Sequence, residues 1–311
     1  MCSSDLIRLD YCDGANVVED NSIYGPDMIY GLYLTYCQSA SESEATIINN
    51  LISVEDYGIY MYQYNTYQNV YYNSVNVLDN NALYYSSNND QFDIKNNIFY
   101  SASSASPALN VANSTGFTGN YNDLFSNYTY PVYYSGEQTF TEYQATGNGA
   151  NSVNLEPVYN TDSTLVPMRL VLDNLGTPIA GITDDIYGNT RSTTTPDMGA
   201  IEFTPSGSAL SGTYTIGTGG DYTTFQSARD ALVANAISGP VVFNILAGTY
   251  DEQLLLNEMV GASTTNTVTF QSADANADSV IWQTTTNSPV NYRSEERRVG
   301  KECRSRWSPD H

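Results

Sequence analysis

Two short motifs recur in step along the first half of the chain, and this repetition limits the folds open to it more than any other feature. The first, Asn-x-apolar, is led by Asn21, Asn49, Asn73, Asn96 and Asn122, and its apolar members stand 28, 24, 23 and 26 residues apart. The second follows each copy of the first: GLYL from Gly31, GIYM from Gly58, ALYY from Ala82, ALNV from Ala108 and PVYY from Pro131. Its apolar members Leu32, Ile59, Leu83, Leu109 and Val132 step by 27, 24, 26 and 23. Self-similarity at about two dozen residues marks a stack of supersecondary units, none of which can bury its apolar face alone.

Inside each unit the residues alternate. Ile59, Met61 and Gln63 fall on one face and Tyr60, Tyr62 and Tyr64 on the other, which is the period of a strand. Tyr, Val, Ile and Thr suit strands, while Asn, Asp, Gly and Ser suit the corners between them. No helical stripe and no LxxLxL pattern interrupts the run, which disfavours a leucine-rich repeat. The expected fold is all-β: coils of short parallel strands stacked about 4.8 Å apart, with the apolar positions forming interior columns. Asparagine at one corner of successive coils can hydrogen-bond along the stack, so Asn21, Asn49, Asn73, Asn96 and Asn122 are expected to form a structural ladder, with ligand binding as the lesser alternative.

Over about residues 10–140 these features resemble the right-handed parallel β-helix (pectin-lyase-like) superfamily. The repeat lapses near Thr141. Asp185, Gly188 and Arg191, followed by Pro196, Asp197, Gly199, Ala200, Glu202 and Phe203, resemble the segment that closes many bacterial surface β-helix proteins. On that resemblance residues 7–140 are the C-terminal coils of a truncated β-helix and 141–203 its closing segment, covering an otherwise open end. Within it, Arg191 and Asp197 are candidates for an ion pair.

A polar, glycine-rich linker spans 204–212. Beyond it, Asp221, Tyr222, Thr224, Phe225, Gln226 and Ala228, then Gly248, Tyr250 and Glu252, resemble the opening of pectinesterase-like β-helices. There a helix plugs the N-terminal end before the first coil. The residues agree: a helix is expected from Tyr222 to Asn235, with Thr224 as N-cap and Gly239 and Pro240 ending it, followed by strands over 241–250 and 266–273. Residues 213–292 are thus expected to be the helix-capped start of a second β-helix.

The two ends stand apart. Residues 293–309, RSEERRVGKECRSRWSP, resemble a translated short-read sequencing adapter, and residues 1–6, MCSSDL, resemble its partner. On that reading 1–6 and 293–311 lie outside the fold, and residues 7–292 are an internal piece of a larger gene. The only histidine, His311, sits in the tail, as does its basic, Cys-containing patch.

Charge narrows the function. The chain carries a formal net charge of −23, and residues 7–292 hold only Arg8, Lys95, Arg169, Arg191 and Arg229 as cations. Such a surface repels nucleic acid and anionic membranes. Low Lys and abundant Tyr, Asn, Ser and Thr suit an exported protein. Cys12 and Cys37 match no metal spacing and are expected to be buried thiols, with a bridge between coils left open. No cofactor is expected; the acidic corners permit calcium and no loop motif demands it.

The resemblance raises polysaccharide cleavage, but a fold alone does not assign chemistry. Lyase-type elimination needs a basic residue with partners, and polygalacturonase-type hydrolysis needs clustered carboxylates with His and basic residues nearby. The pectinesterase residues belong to middle coils, which for the second module lie past residue 292. The acid pairs Asp184/Asp185 and Glu19/Asp20 are expected to be solvated turn carboxylates. No catalytic residue is assigned. Instead, Tyr33, Tyr60, Tyr84 and Tyr133 fall at one outward position of successive coils, broken by Asn110. This exposed stripe is expected either to contact a polysaccharide or surface glycan or to stabilise the sheet by cross-strand stacking. The functional expectation is a fragment of an exported bacterial surface protein acting in adhesion or carbohydrate contact. A polysaccharide-active enzyme with missing catalytic coils and a passive stalk are the alternatives.

Overall fold

Small residues lead the second motif because two sheets converge there. In the computed structural model, which describes residues 5–205, 207–254, 256 and 259–283, a Cβ on Gly31 would lie 2.5 Å from Ile52 Cγ2 and 2.8 Å from the Gly58 carbonyl. Gly58 is pressed likewise against Val75 and the Ala82 carbonyl. The chain divides into two units, one of residues 1–168 and 172–205, the other of 169–171 and 206–311.

The first unit winds through three strands per turn. Strands β1 (Asp5–Asp10), β2 (Val17–Glu19) and β3 (Ser22–Gly25) open it, followed by β4 (Tyr30–Thr35), β5 (Ala45–Ile48) and β6 (Leu51–Val54). The third turn holds β7 (Tyr57–Met61), β8 (Thr66–Tyr71) and β9 (Ser74–Val77), and the fourth β10 (Leu83–Tyr85), β11 (Asp90–Lys95) and β12 (Ile98–Ser101). The fifth holds β13 (Leu109–Val111), β14 (Phe117–Asn120) and β15 (Asp123–Ser126), and β16 (Val132–Tyr134) with β17 (Glu137–Gln138) ends the winding. Three sheets result: β1-β4-β7-β10-β13-β16-β17, β14-β11-β8-β5-β2 and β15-β12-β9-β6-β3. The strand pairs are parallel except β16 with β17. Of the two adapter-like ends, 1–4 and 293–311 lie outside the described residues; Asp5 and Leu6 open β1, with Asp5 paired to Tyr30.

Leu32, Ile59, Leu83, Leu109 and Val132 occupy one register position on the first sheet, each fully buried. Ile7 stands ahead of them in the same file. Burying one such side chain stabilises by about 1.5–3 kcal/mol, and each column multiplies that along the stack. The third sheet holds a second file, Ile23, Ile52, Val75, Phe99 and Leu124. Its second and fourth members lie one residue later than the Leu51 and Ile98 chosen from the sequence.

The closing segment covers the last coil with its first part and the flank with its signature stretch. The last coil is covered by β17 and by helix α1 (Phe140–Ala145), whose N-cap Thr139 and Glu142 form a capping box and whose Tyr143 is buried in the coil interior. Val153 then pairs beside Asp123, and Ser152 Oγ accepts the Asn122 amide. The signature stretch 185–203 instead runs along the flank. Gly199 N donates to the Asn96 carbonyl at 2.6 Å, Ala200 N to Ser74 Oγ, and Tyr72 Oη to the Thr177 carbonyl. Ala200, Ile201 and Phe203 pack with Leu51, Leu165 and Leu172. The stretch is a lateral strap, not an end plug. Flank carbonyls and hydroxyls left unpaired by the coil corners give it partners.

The second unit begins with β18 (Leu210–Ile216), which takes in the last residues assigned to the linker. Helix α2 (Phe225–Asn235) follows, three residues shorter at its start than expected, with Thr224 and Ser227 forming its capping box. It ends at Ala236, in the left-handed region, and not at Gly239 and Pro240, which lie inside β19 (Ile237–Ile245). Strands β20 (Gly248–Asp251), β21 (Val268–Ser272) and β22 (Val280–Gln283) complete it, with β18-β19-β21 and β20-β22 as parallel sheets. Phe225, Ala228 and Leu232 pack on Val241, Phe243 and Tyr250. Glu252 accepts the backbone amides of Phe225 and Gln226 at 3.3 and 3.0 Å, so one carboxylate joins the first coil to the positive end of the helix.

Candidate functional site

The outward face of the first sheet is aromatic. Register puts Arg8, Tyr33, Tyr60, Tyr84, Asn110 and Tyr133 in one row across β1, β4, β7, β10, β13 and β16. Tyr60 and Tyr84 stack at 4.8 Å with 9° between ring planes, Tyr33 and Tyr60 at 5.4 Å and 25°. The Arg8 guanidinium lies 4.6 Å from the Tyr33 ring centre. A second row, Tyr30 and Tyr57, stacks at 5.6 Å and meets the first edge-on. Strand spacing matches ring-stacking distance, so tyrosine at one position of consecutive coils assembles into a pile; each pair adds about 0.5–1.5 kcal/mol beyond burial.

This geometry corrects one part of the expectation. The row is half-buried, not exposed; Tyr33, Tyr60 and Tyr84 cover one another, while Tyr133 stands beside Asn110. Ring faces within the pile are taken up by other rings. Burial, reinforced by the neighbouring phenols, pushes the Tyr60 hydroxyl well above its usual range, and burial raises Tyr33 and Tyr57 as well. These phenols therefore remain neutral hydrogen-bond donors at any physiological pH.

Residues 2–149 match the family model described as a right handed beta helix region. This stretch is a right-handed parallel β-helix. No curated protein and no solved structure matches the chain.

The corner between the second and third sheets of the β-helix carries the asparagine ladder. Asn21 donates to Asn50 Oδ1, Asn50 to Asn73 Oδ1, Asn73 to Asn97 Oδ1 and Asn97 to Asn122 Oδ1, through both backbone N and Nδ2, at 2.9–3.1 Å. Asn21, Asn73 and Asn122 stand in it. Asn49 and Asn96 do not; they precede the true rungs Asn50 and Asn97. Each takes a left-handed conformation, φ 54° and 57°, which turns the chain through the corner and which Asn tolerates better than most residues. Their side chains face outward to the strap. Asn96 exchanges two hydrogen bonds with Thr177, and Asn49 Nδ2 donates to the Asp184 carbonyl. The paired Asn-Asn sequence hid the choice: ladder spacings of 29, 23, 24 and 25 are no more regular than those first chosen.

Arg191 anchors the strap. Its guanidinium lies 3.9 Å from the Tyr72 ring centre, donates to Asn49 Oδ1 and the Gly199 carbonyl, and meets the Glu202 carboxylate at 3.5 Å. Asp197, the expected partner, offers it a backbone carbonyl at 3.5 Å, while the Asp197 carboxylate accepts the amides of Asn174 and Phe203. Burial pushes the Asp197 carboxyl up to about 7, helped by nearby Glu202 and Asp173 and opposed by those two amides. Of the acid pairs, Glu19, Asp20 and Asp184 are exposed. Asp185 is buried instead of solvated and accepts the amides of Tyr187, Asn189 and Glu202 and the Asn189 side-chain amide.

In the second unit a polar cleft of about 560 Å³ lies between the α2 start and β20, lined by Thr224, Gln226, Gly248, Tyr250 and Glu252 among others. Its helix amides already belong to Glu252. Among the described residues no group of three His, Cys, Asp or Glu side chains could hold a metal ion, and no helix is long and apolar enough to cross a membrane.

Proposed function

We propose that this is part of an exported bacterial surface protein whose tyrosine face contacts a linear polysaccharide, with adhesion rather than catalysis as its work in this span. The observation that carries the reading is the in-register row Tyr33, Tyr60 and Tyr84, with consecutive ring centres 4.8–5.4 Å apart. Sugar residues in an extended polymer repeat at a similar distance, so a chain lying along the axis meets one phenol edge and hydroxyl per coil. At Tyr84 the next coil places Asn110, which leaves that end of the pile beside a small polar side chain rather than another ring. Apolar edges beside fixed donors form the pairing that carbohydrate surfaces accept. The acidic charge supports a neutral or cationic glycan over an anionic one.

The test is retention on a panel of immobilised polysaccharides by the chain and by Tyr60→Ser with Tyr84→Ser, with circular dichroism to verify the fold. Retention of the unaltered chain, lost by at least tenfold in the variant, supports contact. Unaltered retention by a folded variant, or none by either protein, overturns it and leaves the tyrosines as a purely structural spine of a stalk. Pectin-type polymers on the same panel, assayed for cleavage, separate binding from turnover.

A further inference from the structure

The corner between the first and second sheets carries a second ladder, and two of its rungs are cysteines. Asn65 donates to Asn89 Oδ1 through N and Nδ2 at 2.9 and 3.0 Å, and the Cys37 amide donates to Asn65 Oδ1 at 3.1 Å. Asn65 Nδ2 also reaches the carbonyl of Leu34, in the preceding coil. The Cys37 thiol sits where that amide would. It faces the Leu9 carbonyl of the preceding coil at 3.5 Å and the Thr35 carbonyl at 3.6 Å. Cys12 continues the pattern one coil earlier, its thiol 3.6 Å from the Asp10 carbonyl.

The two residues are direct neighbours across the coils. Asp10 pairs with Thr35, Tyr11 N donates to the Thr35 carbonyl, Gly14 N donates to the Gln38 carbonyl, and the Tyr11 and Tyr36 rings stack at 4.7 Å. Adjacent parallel strands put such residues about 4.8 Å apart at Cα, inside the range of about 4.4–6.8 Å that a disulfide spans. Both thiols turn toward the interior, Cys37 fully buried and Cys12 half-buried against the same core. Where later coils place hydrogen-bonded side-chain amides at the rung positions, the first two place thiols that make only weak contacts.

We infer that Cys12 and Cys37 form a reversible disulfide that replaces the asparagine ladder at the first two coils. The reaction is thiol–disulfide exchange with a small disulfide such as oxidised glutathione. The more accessible Cys12, as thiolate, attacks one glutathione sulfur and releases one glutathione thiolate. Cys37, whose thiol burial pushes up to about 11, then attacks the Cys12 sulfur and releases the second. Two protein S–H bonds and one glutathione S–S bond break; one protein S–S bond and two glutathione S–H bonds form. The inference does not depend on the glycan reading, and its failure would leave that reading untouched.

The sequence holds two further cysteines, Cys2 and Cys303, so the test uses the full chain carrying Cys2→Ser and Cys303→Ser. After treatment with oxidised glutathione, unfolding and alkylation, the expected result is a chain two hydrogens lighter, with no alkyl group and a peptide linking Cys12 to Cys37. The Cys37→Ser variant is expected to stop at a glutathione adduct on Cys12. Should that variant not fold, Cys12→Ser is expected to leave Cys37 unmodified over the same interval. Alkylation of both cysteines in the treated parent, or a lasting adduct on its Cys12, overturns the inference. The oxidised form is further expected to unfold at higher urea than the reduced form; equal midpoints would also count against a staple.

Discussion

Two corners of the same coil solve one problem with different chemistry. The corner between the second and third sheets is uniform: each of its five turns, at Asp20, Asn49, Tyr72, Asn96 and Tyr121, has a left-handed residue followed by an asparagine rung, buried at all but the first. The corner between the first and second sheets is mixed. Its inner rungs are Cys12, Cys37, Asn65 and Asn89, and its left-handed residues Tyr11, Tyr36 and Tyr64 stack outside at 4.7 and 5.1 Å. The difference follows from what lies outside each corner. The middle of the uniform corner, at Asn49, Tyr72 and Asn96, is covered by the strap, which needs hydrogen-bonding partners at fixed positions. The mixed corner faces solvent, where stacked rings supply the cross-coil attraction that the ladder lacks.

The sharpest way to break the comparison is to remove one rung from each ladder. Asn73→Ala strips partners from the Asn50 amide and from the Ile47 and Tyr71 carbonyls. The Tyr71 carbonyl keeps the Asn49 amide; with each buried group that loses its partner costing about 1–3 kcal/mol, the expected loss is about 3–5 kcal/mol by urea denaturation. Asn65→Ala in the mixed corner strips the Cys37 amide, while the Leu34 carbonyl keeps the Tyr62 amide, and about 2 kcal/mol is expected on the same grounds. Equal losses at the two sites would remove the distinction drawn between the corners.

Smaller effects sharpen it. Tyr36→Asn keeps a side chain suited to the left-handed turn but deletes both ring stacks, for an expected loss of about 1–2 kcal/mol. Asp197→Asn addresses the strap over the uniform corner. A carboxyl whose folded pKa lies above its unfolded value holds its proton more tightly in the folded state. Its contribution to stability is therefore full below about pH 4 and declines as pH rises to about 7, then levels. The urea midpoint of the unaltered chain is expected to fall across that window, and that of Asp197→Asn to fall less; parallel curves would show that Asp197 is not the titrating group.

The first sheet was legible because its motif is unambiguous. GLYL, GIYM, ALYY, ALNV and PVYY each fix a small residue, an interior aliphatic and an outward side chain, and register preserves all three. The helix of the second unit was legible from its cap, Thr224. The ladder was misplaced at two rungs because adjacent asparagines, one suited to the turn and one to the rung, look alike in sequence while pointing to opposite sides of the coil. The tyrosine stack was visible as a row but not as a pile: periodicity says which residues share a face, not that they cover one another. The strap was the least legible element. Its contacts with Asn49, Tyr72, Ser74 and Asn96 join residues about a hundred positions apart, with no local pattern to announce them. Arg191 meets the Glu202 carboxylate and only the backbone carbonyl of Asp197, although both carboxylates also accept two backbone amides.

The ladder that ties Asn21 to Asn122 reads only position, never the length of chain between rungs; it tolerates intervals from 23 to 29 residues. Surplus residues leave as loops, and the interior is indifferent to them. A gene encoding such a stack can therefore gain or lose one whole period without disturbing the turns on either side, which gives the molecule a reach adjustable in discrete increments.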